Sequence, residues 1–129
     1  MIQLGYIIVY VADVSSTVDF YHNAFGIPLR FMDDSQQYAE LDTGSTTLAF
    51  ATQGMADSNG LAIHMQRPQD VANGTEIVFV TPDVQVAYTH AVASGAEAVT
   101  SPEIKPWGQT VGYVRDCNGV LIEICTPMA

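Results

Sequence analysis

The chain has 129 residues, one domain's length, and at this size about two-thirds of the unfolded surface can be buried. It carries 4 Lys and Arg against 14 Asp and Glu, a formal charge of −10, so no basic stripe for duplex nucleic acid or an anionic membrane can be built from Arg30, Arg67, Lys105 and Arg115. An apolar content of 48% excludes a disordered acidic tail.

The first apolar run, Leu4 to Ala12, is too short to span a membrane and has no basic residue before it, so no signal peptide is expected. Residues 8–14, Ile-Val-Tyr-Val-Ala-Asp-Val, read as a strand that stops at an aspartate. Val14, Val18, Tyr21 and Phe25 then fall on one helix face. Ser16-Thr17-Val18-Asp19 has the form of a capping box, and Gly26 followed by Pro28 stops the helix. A short strand is expected near Pro28–Met32. Tyr38–Leu41, Asp42-Thr43-Gly44 and Thr46–Ala51 then read as strand, turn, strand.

The pattern repeats. Residues 77–84, Ile-Val-Phe-Val-Thr-Pro-Asp-Val, again end a strand at an aspartate, and Val84, Tyr88 and Ala91 make a helix face that Gly95 closes. A short strand near Ala96–Ser101 precedes a hairpin, Thr110–Arg115 and Val120–Cys125, turned by Asp116-Cys117-Asn118-Gly119. Two modules, about 1–53 and 75–127, are thus joined by a segment over 54–74, long enough to be functional or mobile. Within it Asn73-Gly74-Thr75 matches a glycosylation acceptor, read here as a turn.

Strand alternation assigns faces. Ile7, Val9 and Val11 oppose Tyr6, Ile8 and Tyr10; Ile77 and Phe79 oppose Glu76, Val78 and Val80; Ile122 and Ile124 oppose Leu121, Glu123 and Cys125. One face is aliphatic and aromatic, where helices pack. The other is mixed and holds two carboxylates, which suggests a cavity. Two cysteines, Cys117 and Cys125, are too few for a disulfide scaffold and fit a cytoplasmic setting.

This order of elements resembles the vicinal oxygen chelate superfamily, which includes glyoxalase I, extradiol dioxygenases, fosfomycin-resistance enzymes and bleomycin-resistance proteins. The resemblance spans nearly the whole chain. It rests on Val11-Ala12-Asp13-Val14 leading to Asp19-Phe20-Tyr21 and Phe25-Gly26, and on Arg115-Asp116-Cys117-Asn118-Gly119 leading to Ile122-Glu123-Ile124. It implies an α+β fold of two tandem βαβββ modules, an incomplete mixed-sheet barrel around a cavity, often completed in a homodimer with or without swapped modules. Metal-using members place His and Glu ligands at four positions. Counting from the paired aspartates, these are Tyr6, Ala49, Glu76 and Glu123 in this chain. The histidines lie elsewhere, at 22, 64 and 90. No metal or other cofactor is therefore expected, and a divalent ion is the alternative.

Lys105-Pro106-Trp107-Gly108-Gln109 looks like the Trp-Gly-Gln segment of the drug-binding, bleomycin- and mitomycin-resistance-like members. That resemblance implies a small-molecule binder that sequesters a planar or cationic compound, as in antibiotic resistance, with Tyr6, Tyr10, Glu76, Trp107 and Glu123 lining the site. The alternative is a metal-dependent lyase, isomerase or thiol transferase of the glyoxalase type, with Glu123 as candidate catalytic residue or metal ligand. A glutamate in an apolar strand needs a partner, and Arg115, Tyr6 or water are the candidates for Glu123.

Overall fold

A computed structural model describes residues 1–128. The chain divides into two compact units, Met1–Met65 and the remainder from Gln66. The first runs β1 (Tyr6–Val11), α1 (Val14–Phe25), β2 (Leu29–Met32), β3 (Tyr38–Leu41), β4 (Thr47–Thr52) and α2 (Gln53–Ser58). The second runs β5 (Glu76–Val80), α3 (Val84–Ala93), β6 (Glu97–Ile104), β7 (Thr110–Arg115) and β8 (Leu121–Cys125).

Each unit holds one open four-stranded mixed sheet. The orders are β1-β4-β3-β2 and β5-β8-β7-β6, with the first pair parallel and the rest antiparallel. Parallel neighbours need a long crossover connection, and in each unit it begins with a helix after the first strand. The fold is therefore α+β, made of two tandem strand–helix–three-strand modules. The short α2, inside the stretch read from sequence as a connection, is an addition. Thr52 caps it by accepting from the Met55 N–H at 3.3 Å.

The aspartate that ends each first strand is the N-cap of the helix after it. Asp13 accepts from the Ser16 N–H at 2.9 Å, and Asp83 accepts from the Val86 N–H at 3.2 Å. This corrects the capping box expected at Ser16–Asp19, which begins three residues too late. A cap side chain satisfies a helix N–H that has no partner in the helix. Asp13→Ala and Asp83→Ala should each cost about 1 kcal/mol, read as a lower urea midpoint. Gly26 closes α1 in the left-handed region at φ 69°.

Val14, Val18 and Tyr21 of α1 are buried, and the Tyr21 ring lies 5.0 Å from that of Phe50 in β4. In the second unit Val84 and Ala91 of α3 are buried, as are Ile122 and Ile124 of β8. The expected helix-packing faces are therefore buried on α1, α3 and β8, whereas Ile7, expected on that face of β1, is 44% exposed. Register confirms the mixed faces too: Tyr6 lies opposite Thr47 and Ile8 opposite Ala49, while Glu76 lies opposite Leu121 and Val78 opposite Glu123. Ala49 and Glu123 are thus equivalent positions of the two sheets.

The β7–β8 turn sets the register that the site uses. Asp116, 4% exposed, accepts at Oδ1 from the N–H groups of Asn118 (2.8 Å) and Val120 (2.9 Å). Gly119 has φ 87°, and a Cβ there would lie 2.6 Å from the Arg67 carbonyl oxygen. Arg115 spans the same contact, donating through Nε to the Gly119 carbonyl at 2.7 Å and through Nη2 to the Asp70 carbonyl at 2.7 Å. Gly119→Ala meets both the left-handed backbone and a rigid carbonyl. It should lower stability by roughly 2–4 kcal/mol, read as a fall in Tm.

Candidate functional site

The mixed face of the second sheet carries the chemistry. Antiparallel register puts Tyr113 of β7 directly opposite Glu123 of β8. Glu76 lies on the parallel neighbour β5, opposite Leu121 and so one same-face step from Glu123. The side chains meet. The Tyr113 hydroxyl donates to Glu123 Oε1 at 3.2 Å, the Glu76 carboxyl is hydrogen-bonded to Glu123, and so is the Cys125 thiol two residues along β8. Three groups that can carry a proton converge on one glutamate.

Their acidities follow. The hydrogen bond to Glu123 is the largest influence on Glu76, followed by burial and the negative charge of Glu123; together they push its carboxyl from 4.5 to about 7. Burial comes first for Tyr113 and for Cys125, with the neighbouring Glu123 adding to it, and both are held above their ordinary values. Cys125 is therefore a buried thiol and not an activated nucleophile.

Among the described residues no cation neutralises the pair. Arg115, a partner for Glu123 by sequence, gives its guanidinium to backbone carbonyls, and Lys105 pairs with Glu103. Val78 and Val80 of β5, both more than 40% exposed, lie on the same face. The arrangement is an uncompensated acidic centre with an apolar border.

The first sheet uses similar parts differently. Tyr38 donates to Glu40 Oε2 at 2.8 Å, and Arg30 Nη2 donates to Glu40 Oε1 at 3.1 Å and to the Thr47 hydroxyl. Burial, then the hydrogen bond and charge of Glu40, push the Tyr38 phenol up to about 12. Here the carboxylate sits on β3, opposite the fully buried Ala49, and an arginine neutralises it. Tyr6, 56% exposed, and Tyr10, half-buried, are on this sheet, on the face of Thr47, Ala49 and Ala51.

Of the five side chains expected to line one site, the structure brings together Glu76 and Glu123. Trp107 belongs to the same unit but stands in the β6–β7 turn, 61% exposed, beyond the end of β7. Its indole N–H donates to Gln109 Oε1 at 2.8 Å, and Gln109 Nε2 donates to the Thr126 carbonyl at 2.7 Å. Gly108 turns the chain at φ 98°. The Trp-Gly-Gln segment is thus a tight turn whose glutamine fixes the indole plane. Tyr6 and Tyr10 belong to the first unit. Tyr113 is not singled out by any sequence motif, although the hairpin register set by Asp116–Gly119 points to it.

The resemblance implies a divalent-ion site of imidazoles and carboxylates in metal-using members. The matching positions here supply a phenol, a methyl group and two carboxylates already hydrogen-bonded to each other. Among the described residues no group of three or more His, Cys, Asp or Glu side chains is placed to hold a metal ion. The residues present do not fit a zinc or nickel centre, which wants nitrogen or thiolate donors.

The model of the glyoxalase, bleomycin resistance protein and dioxygenase superfamily matches residues 3–124. The chain belongs to this superfamily. Within reach by sequence is the uncharacterized protein YraH of Bacillus subtilis (strain 168), 26% identical over 116 residues, which cover 88% of this chain and 90% of that protein. The superfamily fold recurs in solved structures. A glyoxalase-related enzyme from Fulvimarina pelagi matches with a TM-score of 0.84 at 20% identity, over 98% of this chain and 89% of that one. TioX from Micromonospora sp. ML1 matches with a TM-score of 0.72 at 23% identity, over 96% and 98% of the two chains. At such identities the likeness speaks for the fold alone. Among the described residues no helix is long and apolar enough to cross a membrane.

Proposed function

We propose that this superfamily member binds a planar, cationic small molecule and holds it without metal chemistry, in the manner of the drug-sequestering branch. One observation carries the reading: Glu76 and Glu123 meet on one sheet face with no cation beside them among the described residues, and the contact pushes the Glu76 carboxyl up to about 7. Two carboxylates in contact cannot both ionise without cost. A bound cation removes that cost, so the pair is a receptor for positive charge that a proton occupies in its absence. Val78 and Val80 supply apolar surface for the body of the ligand. The Trp107 indole, held by Gln109, is an exposed aromatic face in the same unit.

The test is a titration with an aminoacridine cation followed by Trp107 fluorescence and by calorimetry. Saturable binding at one site, weakened by salt, supports the reading. No binding by any member of a broad panel of planar cations overturns it.

A proton-transfer enzyme is the second reading, because a carboxyl near 7 can both give and take a proton at neutral pH. Elemental analysis of protein purified without chelator separates this from a metalloenzyme. A stoichiometric Mn, Ni, Zn or Fe that Glu123→Gln removes would contradict both metal-free readings. The homodimer and cytoplasmic setting expected from sequence belong with the proposal. Analytical ultracentrifugation showing a monomer at all accessible concentrations would remove the dimer from it.

A further inference from the structure

The chain contains three Asn-Gly pairs, at 59–60, 73–74 and 118–119. In such a pair the glycine nitrogen can attack the asparagine carboxamide, because no side chain on the second residue hinders the approach. The attack needs a nitrogen that can give up its proton and a carboxamide free to turn toward it. The three pairs differ in these respects.

Gly60 N–H donates to the Asp57 carbonyl at 3.0 Å, and Gly119 N–H donates to the Asp116 carbonyl at 3.0 Å. Both nitrogens are engaged in turns. At Gly119 the space is closed as well, with the Arg67 oxygen where a Cβ would go. Gly74 N–H donates to no group among the described residues, and the space beside its Cα is open. Asn73 is exposed, and its carboxamide is hydrogen-bonded to none of them. Its backbone is held instead: its N–H donates to Gln66 Oε1 at 2.7 Å, and Gln66 Nε2 donates to the Arg67 and Val71 carbonyls at 3.0 and 3.3 Å. A fixed backbone therefore presents a free side chain beside a free nucleophile.

We propose that Asn73 is a self-modification site, converted through a cyclic imide to aspartate and isoaspartate while Asn59 and Asn118 are spared. The Gly74 nitrogen bonds to Asn73 Cγ, the Cγ–Nδ2 bond breaks, and ammonia leaves with the proton from Gly74. Water then opens the ring at either carbonyl. No electrons are gained or lost. Both products add a carboxylate three residues before Glu76. The isoaspartyl product also runs the main chain through the former side chain, adding a methylene between the Gln66-held amide and β5. The loop that leads into the acidic pair thus carries a slow, irreversible change of charge and length.

The experiment ages the folded protein in mildly alkaline buffer and follows the three peptides by mass spectrometry, with an isoaspartyl methyltransferase assay on each. Asn73 should convert several-fold faster than Asn59 or Asn118 in the folded chain, and the three rates should converge in denaturant. Gly74→Ala, where the added methyl meets open space, should slow conversion at Asn73 alone. Asn59 or Asn118 converting as fast as Asn73 in the folded protein would overturn the proposal. So would an unchanged rate at Asn73 in Gly74→Ala, because the nitrogen attack would not then be the route.

Discussion

Glu123→Gln should lower the affinity for a planar cation at least tenfold. Glu123 receives the Tyr113 hydroxyl, the Cys125 thiol and the Glu76 carboxyl, so it is the centre of the acidic cluster. Glutamine keeps the size and removes the charge. A hydrogen bond to a charged group is worth about 1.5–3 kcal/mol, and about 1.4 kcal/mol is a factor of ten in Kd. Glu40→Gln is the matched control. Its carboxylate is also hydrogen-bonded to a tyrosine, but Arg30 already neutralises it, so cation affinity should not change. Equal losses in the two variants would mean that overall acidity, not the Glu76–Glu123 pair, attracts the ligand. Calorimetric titration of both variants at one ionic strength decides between them.

Glu76→Gln should be more stable than the parent protein above neutral pH and no more stable in acid. The folded chain raises the Glu76 carboxyl from 4.5 to about 7, so folding holds this proton more tightly than the unfolded chain does. The stabilisation this brings is complete below about pH 4.5 and is lost as pH rises toward 7. Above that, the parent carries two ionised carboxylates in contact and the variant carries one. A shift of this size on a dry group would be worth several kcal/mol. Glu76 is exposed to solvent, so screening reduces the expected gain to about 1 kcal/mol at about pH 8. Urea midpoints at acid and alkaline pH give the difference directly. A variant less stable than its parent at alkaline pH would mean that Glu76 is held ionised by a favourable partner.

Much of this site is legible before any coordinates. A strand that ends in aspartate, repeated at 13 and 83, marks where each helix begins, although the local pattern puts the first cap at Ser16 and the structure puts it at Asp13. Alternation along β5 and β8 then places Glu76 and Glu123 on one face, and parallel register brings them into contact. What stays hidden depends on packing between distant segments. Arg115 is near Glu123 in sequence, yet it turns to carbonyls of the loop at 67 and 70, which no local pattern announces. The helix α2 has six residues, too few for a periodic face, and its cap Thr52 is the last residue of a strand. Trp107 reads as a platform, but its position follows from a turn and from Gln109 reaching Thr126.

The two units show how one fold supports opposite electrostatics. A tyrosine donates to a glutamate in each. In the first, Arg30 completes the set and the glutamate is a structural acceptor. In the second, the neighbour of the glutamate is another carboxylate, Glu76, on β5. The difference rests on a few side chains set on different strands of the two modules, Glu40 and Arg30 on β3 and β2 but Glu123 and Glu76 on β8 and β5, which is how a superfamily fold accommodates unlike functions.

A cation bound beside Glu123 should displace the proton of Glu76. Calorimetric titration with the aminoacridine cation, in two buffers of different ionisation enthalpy near neutral pH, measures that proton. About half a proton should be released per cation bound at about pH 7, where the Glu76 carboxyl is half protonated, and none in Glu76→Gln. Binding with identical heats in both buffers would contradict it.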